Sequence, residues 1–138
     1  REKKIELSES AKHELSVLRT AVDEILVLTK QAFIENNLSV AYDVEPLEQV
    51  IDGLLSEIKS RHINRLTGGN CTIELGFVLS DLITNYERVS DHCSNIAVCM
   101  IEMAHGSFET HEYLDHLKEK ETEAFRKEVN AYAEKYKI

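Results

Sequence analysis

Two segments of this chain repeat one carboxylate spacing. Glu48-Gln-Val-Ile-Asp52 and Glu87-Arg-Val-Ser-Asp91 both read E-x-x-x-D. On a helix, residues four apart share a face, with Cβ atoms about 5–6 Å apart. Like charges held there repel and weaken the helix slightly, and a cation between them relieves the repulsion. Four carboxylates at one level are oxygen donors suited to Mg2+, Mn2+ or iron, and they can bridge two ions. The same spacing also arises on any acidic helix, where the pairs are simply solvated. Spacing alone favours the solvated reading.

Helices must position these pairs, and four are legible from apolar periodicity. The first runs from about Ser8 to Glu35 on a stripe of Ala11, Leu15, Leu18, Val22, Ile25, Leu26 and Phe33. Ser8 is its expected N-cap, and Asn36-Asn37 ends it with residues that tolerate left-handed backbone. The second lies between Ser39 and Leu66 with Leu47, Ile51, Leu54 and Ile58 inward. Pro46 is expected in a first turn, where its missing N–H matters little, after a short turn around Val40 to Asp43. Thr67-Gly68-Gly69-Asn70 stops this helix. The third runs from about Thr72 to Ala104 on Leu75, Val78, Leu82, Tyr86, Val89, Cys93, Ile96, Met100 and Met103, and His105-Gly106 closes it. A fourth, Thr110 to Tyr136, has a broken stripe of Leu114, Leu117, Phe125, Tyr132 and Tyr136, so it is expected to be the most loosely attached.

Short connections make successive helices antiparallel. The fold class is therefore all-α: an up-down three-helix bundle over about residues 8–105 with an additional C-terminal helix at about 110–136. The whole of 1–138 reads as one domain. On a wheel at about 100° per residue, the third-helix stripe places Glu87 and Asp91 away from the core, beside Thr84 and Asn95. The hairpin sets Asp52 level with Asn85 and Glu48 with Val89, so the two acid pairs share a height.

The balance of charge bounds the partners. The 138 residues carry a formal net charge of −9. No basic stripe is available to neutralise nucleic-acid phosphates or anionic lipid. The three cysteines, Cys71, Cys93 and Cys99, form no C-x-x-C, and scattered thiols suggest a reducing compartment. No apolar run approaches the roughly 20 residues needed to span a bilayer. The chain begins at Arg1 rather than Met, which suggests a piece of something longer.

The segment Asn85-Tyr-Glu-Arg-Val-Ser-Asp-His-Cys-Ser-Asn-Ile-Ala97 resembles the signature helix of PhoU-like domains, E-R-x-x-D-H-x-x-N-I-A, and matches it at every position. The earlier helix is similar to that family's A-x-x-V-x-x-x-E-x-x-I-D-x-L pattern through Ala41, Val44, Glu48, Ile51, Asp52 and Leu54. Ser60-Arg-His-Ile-Asn-Arg-Leu66 and Ile73-Glu-Leu-Gly-Phe77 look closest to PhoU domains fused behind bacterial sodium/phosphate cotransporters. The resemblance covers roughly Ala11 to Glu102. It implies a three-helix bundle, usually one of a tandem, of which this chain would be the second half. It implies a regulator of phosphate uptake rather than an enzyme, with no catalytic residues. Its acid motifs would be metal ligands, here Glu48, Asp52, Glu87 and Asp91, for divalent or iron-type ions (Fe, Mn, Mg or Zn). The partners implied are the membrane transport domain of the same polypeptide and a second copy of the chain. The location implied is the cytoplasmic side of the plasma membrane.

Other residues have structural readings. Arg88 is placed to pair with Asp91 or Thr84, Asn95 to bridge to a neighbouring helix, and His62 and His92 to hydrogen-bond structurally. Cys93 falls on the apolar stripe, and Tyr132 and Tyr136 are packing residues. Three rival functions compete with this reading. A di-iron bundle enzyme needs two inward Glu-x-x-His motifs, and only Glu102-Met-Ala-His105 is present. A histidine-kinase dimerisation helix would rest on Lys12-His13-Glu14-Leu15 alone. In a plain scaffold, the acid pairs would do nothing.

Overall fold

Helix ends decide where this chain turns. Ser8 accepts a hydrogen bond from the Ala11 N–H at 3.1 Å and opens α1, Glu9–Glu35. Asn36 closes α1 in the left-handed region, at φ 51°, and Asn37 at once caps α2, Leu38–Thr67, by accepting from the Val40 N–H. Two adjacent asparagines thus reverse the chain. Gly69, with φ 78°, follows α2. The Thr72 hydroxyl then accepts from Leu75 N–H, and α3, Ile73–His105, begins. A short helix, α4, spans Glu123–Lys135. The computed structural model describes residues 8–69, 72–105 and 123–138. Thr110, Leu114 and Leu117 of the expected fourth helix, with Asn70, Cys71 and Gly106, lie outside the described residues.

The first three helices form the antiparallel up-down bundle, each packed on the other two, and α4 packs on α2. The core is built from Leu18, Ile25, Leu47, Ile51, Leu55, Ile58 and Ile83, all fully buried. Each such side chain stabilises the fold by about 1.5–3 kcal/mol. No described helix is long and apolar enough to cross a membrane.

Three expectations need correction. The buried seam of α3 is Leu79, Ile83, Ser90, Cys93, Ala97 and Ile101, whereas Val78, Leu82, Ile96 and Met103 are exposed. The seam therefore runs one residue later than the expected stripe, about 100° round the helix. The periodicity of α3 is apolar over a wide arc, and packing selected one edge of it. In α1, Leu26 and Phe33 are exposed, while the small residues Ala21 and Ala32 are fully buried. Pro46 does not start a helix. It sits buried inside an unbroken α2, where the tertiary contacts outweigh the local cost of roughly 3 kcal/mol. Helix α4 packs on α2 and buries none of its described side chains, as expected of the most loosely attached helix, while Tyr136, just beyond it, is 4% exposed within the core cluster.

One buried charge was not anticipated at all. Glu14 is 1% exposed, and Arg65 grips it with Nη2–Oε1 at 2.9 Å and Nη1–Oε2 at 3.1 Å. Arg61 adds a contact at 3.3 Å and also holds Glu57 at 2.8 Å. This network ties the start of α1 to the end of α2.

Candidate metal centre

The E-x-x-x-D segment of α2 and that of α3 meet along the α2–α3 seam. Register is fixed on both sides of the meeting point. Towards one end, the Ser94 hydroxyl donates to Glu45 Oε2 at 3.3 Å. Towards the other, His62 Nε2 lies 3.3 Å from the Gly76 carbonyl, beside a glycine whose lack of a side chain leaves room for Leu66. His62 is thus the structural histidine expected of it.

Between these clamps, Glu48, Asp52 and Asp91 each offer a carboxylate oxygen within 4.8 Å of the other two. Glu48 is buried at the base, and Asp52 and Asp91 are exposed at the mouth. The fourth expected ligand, Glu87, is held apart: its Oε1 lies 3.4 Å from Lys59 Nζ. The acids of α3 do not face away from the bundle, as the wheel implied. With the α3 seam one residue later, Glu87 and Asp91 fall on its flank, against α2. Arg88 and His92 are exposed, and Arg88 makes no ion pair with a described residue.

The electrostatics follow from crowding. Burial is the main cause that raises Glu48 to about 9 from 4.5; its hydrogen bond with Asp52 and the charges of Glu45 and Asp52 push the same way. Asp91 is also raised, first by partial burial and then by the charges of Asp52 and Glu87, with His92 opposing. Two acids at that separation repel by about 3–4 kcal/mol at an effective dielectric of 20. The site therefore needs a positive charge, and a proton on Glu48 supplies one by default. A divalent cation supplies more. Oxygens around a metal at about 2.1 Å stand roughly 3–4 Å apart, so a spread of 4.8 Å closes by small side-chain rotations. The donor set is all oxygen, which suits Mg2+, Mn2+ or iron better than a thiol-seeking ion.

Sequence reasoning missed two contributors. Glu45 sits one turn before Glu48 and adds to its crowding, a signal present in the Glu45/Glu48/Asp52 spacing. Lys59, two turns beyond Asp52 on the same face of α2, competes for Glu87, and no local pattern announces it.

Comparison with known proteins gives a consistent picture. The family model described as the PhoU domain matches residues 15–100. Among curated proteins, the chain is similar to the phosphate-specific transport system accessory protein PhoU homolog 1 of Thermotoga maritima. The two are 29% identical over 76 residues, which is 55% of this chain and 33% of that relative. The match thus spans about a third of the relative's length. No solved structure matches. The matched residues contain all four candidate acids, and α4 lies beyond them.

Proposed function

As the chain belongs to the PhoU domain family, we propose that it is a metal-binding regulatory module of phosphate uptake, carried on the cytoplasmic side of a sodium/phosphate cotransporter. The family supports a role in the control of phosphate transport and gives no ground for an enzymatic one. The relative's name associates that protein with a phosphate-specific transport system. The attachment to a cotransporter rests on the likeness of the segments Ser60–Leu66 and Ile73–Phe77 to fused PhoU domains. In this reading the chain is the second bundle of a tandem, and the membrane transport domain is its partner within one polypeptide.

The observation that carries metal binding is the convergence of Glu48, Asp52 and Asp91 within 4.8 Å. Glu87 is available as a fourth ligand. Its pairing with Lys59 is solvent-exposed, and such pairs contribute only about 0–1 kcal/mol. The bound ion would supply positive charge that locks α2 to α3 at this height. The residues then act as a cation-dependent clamp, not as a reaction centre.

Metal content of the purified chain tests this reading. Protein loaded with Mn2+ or Fe2+ and desalted should retain at least one ion per chain by inductively coupled plasma mass spectrometry. The double substitution Asp52→Asn with Asp91→Asn should lose it while the circular dichroism stays helical. Full retention in that variant would leave the plain scaffold as the better description.

A further inference from the structure

Three packed helices leave three seams on their outside, and two of these are in use. Helix α4 packs on α2 and reaches α1 through the contacts of Tyr136 and Lys135 with Glu24. The α2–α3 seam carries the acids. The α1–α3 seam is an open groove of about 420 Å3, with Leu26, Lys30 and Phe33 on one wall and Val89, His92 and Ile96 on the other. Its surface is almost wholly apolar, and no carboxylate lines it, in a chain of net charge −9. Phe33 is 67% exposed, and the α3 wall runs on to Met103, which is 80% exposed. Monomeric proteins rarely leave a contiguous apolar patch of this kind open. Along α1 the groove edge reads Arg19, Asp23, Leu26, Lys30 and Phe33, all within about 80° of one another on the helix. Arg19, Asp23 and Lys30 make no ion pair with a described residue.

We propose that a second copy of the chain docks here, each α1 lying antiparallel along the other's groove about a two-fold axis between Leu26 and Val27. The charge pattern selects this occupant. Asp23 and Lys30 stand equally far from that axis, about 5 Å to either side. A two-fold operation exchanges them, so Asp23 of each copy meets the partner's Lys30, and the contact is made twice. The partner's Asp23 also supplies the carboxylate that a groove holding Lys30 and His92 lacks. Arg19 comes nearly level with the partner's Phe33, in reach of a cation–π contact over its ring. A parallel pairing would instead set Asp23 on Asp23 and Lys30 on Lys30, like charge against like. Leu26, Phe33 and Ile96 leave water as the copies meet, and that burial drives the association. The paired stripe is only about four turns long, so the interface is at the small end of the range and the dimer forms at micromolar concentrations.

Sedimentation velocity of the chain in EDTA, from about 1 to 300 µM, tests this docking. The chelator removes any cation bridging between acidic sites, so the outcome does not depend on metal binding. The unaltered chain should pass from one chain to two across that range. Asp23→Lys and Lys30→Glu should each weaken the dimer at least about tenfold, since each sets like charges face to face. Mixed in equal amounts, these two variants should pair with each other about as well as the unaltered chain pairs with itself, because every contact is then opposite in sign. Phe33→Asp should remove dimerisation altogether. Circular dichroism should stay helical in all three variants, as all three positions are exposed. A chain that stays monomeric throughout would overturn the proposal and leave the groove to a different protein. A dimer that both charge reversals leave intact, or that the mixed pair fails to restore, would overturn it equally.

Discussion

Charge placement at single residues has consequences larger than its count suggests. Glu48 is kept protonated by burial and by its acidic neighbours, up to about 9. The folded chain thus binds this proton more tightly than the unfolded one. The associated stability is complete below about 4.5 and is lost as pH rises towards 9. Metal-free protein should therefore be less stable at pH 9 than at pH 6, by on the order of 2 kcal/mol. Urea denaturation at the two pH values measures this, and Glu48→Gln should flatten the difference. Glu14, by contrast, is gripped by two arginines. Glu14→Ala would leave Arg65 without its partner and should cost about 3–5 kcal/mol. A loss under 1 kcal/mol in thermal or chemical denaturation would show that the network is solvated in practice.

Among the elements, α3 is where pattern and packing diverge. Its apolar residues cover so wide an arc that two neighbouring stripes are both plausible seams. The structure buries Ile83 and exposes Leu82. Ile83→Ala should cost about 2–4 kcal/mol, whereas Leu82→Ala should cost less than about 1. Equal losses would return the seam to the stripe that periodicity favours. This register matters for function, because it turns Asp91 towards Asp52. The α2 helix offers a separate test. Gly53 sits in its interior with open space where a Cβ would stand. Gly53→Ala should stabilise the chain by about 0.5–1 kcal/mol through helix propensity, with no loss of metal.

At the scale of the whole molecule, the bundle is a frame that holds an acidic cluster where α2 meets α3, and that cluster suits a cation. A cation that binds only the folded chain adds about 2.7 kcal/mol at one hundred times its dissociation constant. For a chain of this size that shifts the melting temperature by roughly 5–10 °C. Differential scanning fluorimetry with Mn2+, and again after EDTA, should show the rise and its reversal. The variant Asp52→Asn with Asp91→Asn should melt at one temperature in both.

Local chemistry was enough to determine the first three helices, their antiparallel order and, Pro46 aside, their ends. Ser8, Asn36, Asn37 and the Gly68-Gly69 pair act on their own backbone neighbourhood, so they can be read without a fold. The likeness to PhoU-like domains was also legible, since it lies in contiguous motifs. Rotation of α3, burial of Pro46 within α2 and the Lys59 grip on Glu87 were not. Each depends on which residue of a distant segment comes within a few ångströms, and no periodicity along one helix encodes that. Sequence supplied the four acids; the packing of α2 on α3 drew three of them together and left the fourth with a lysine.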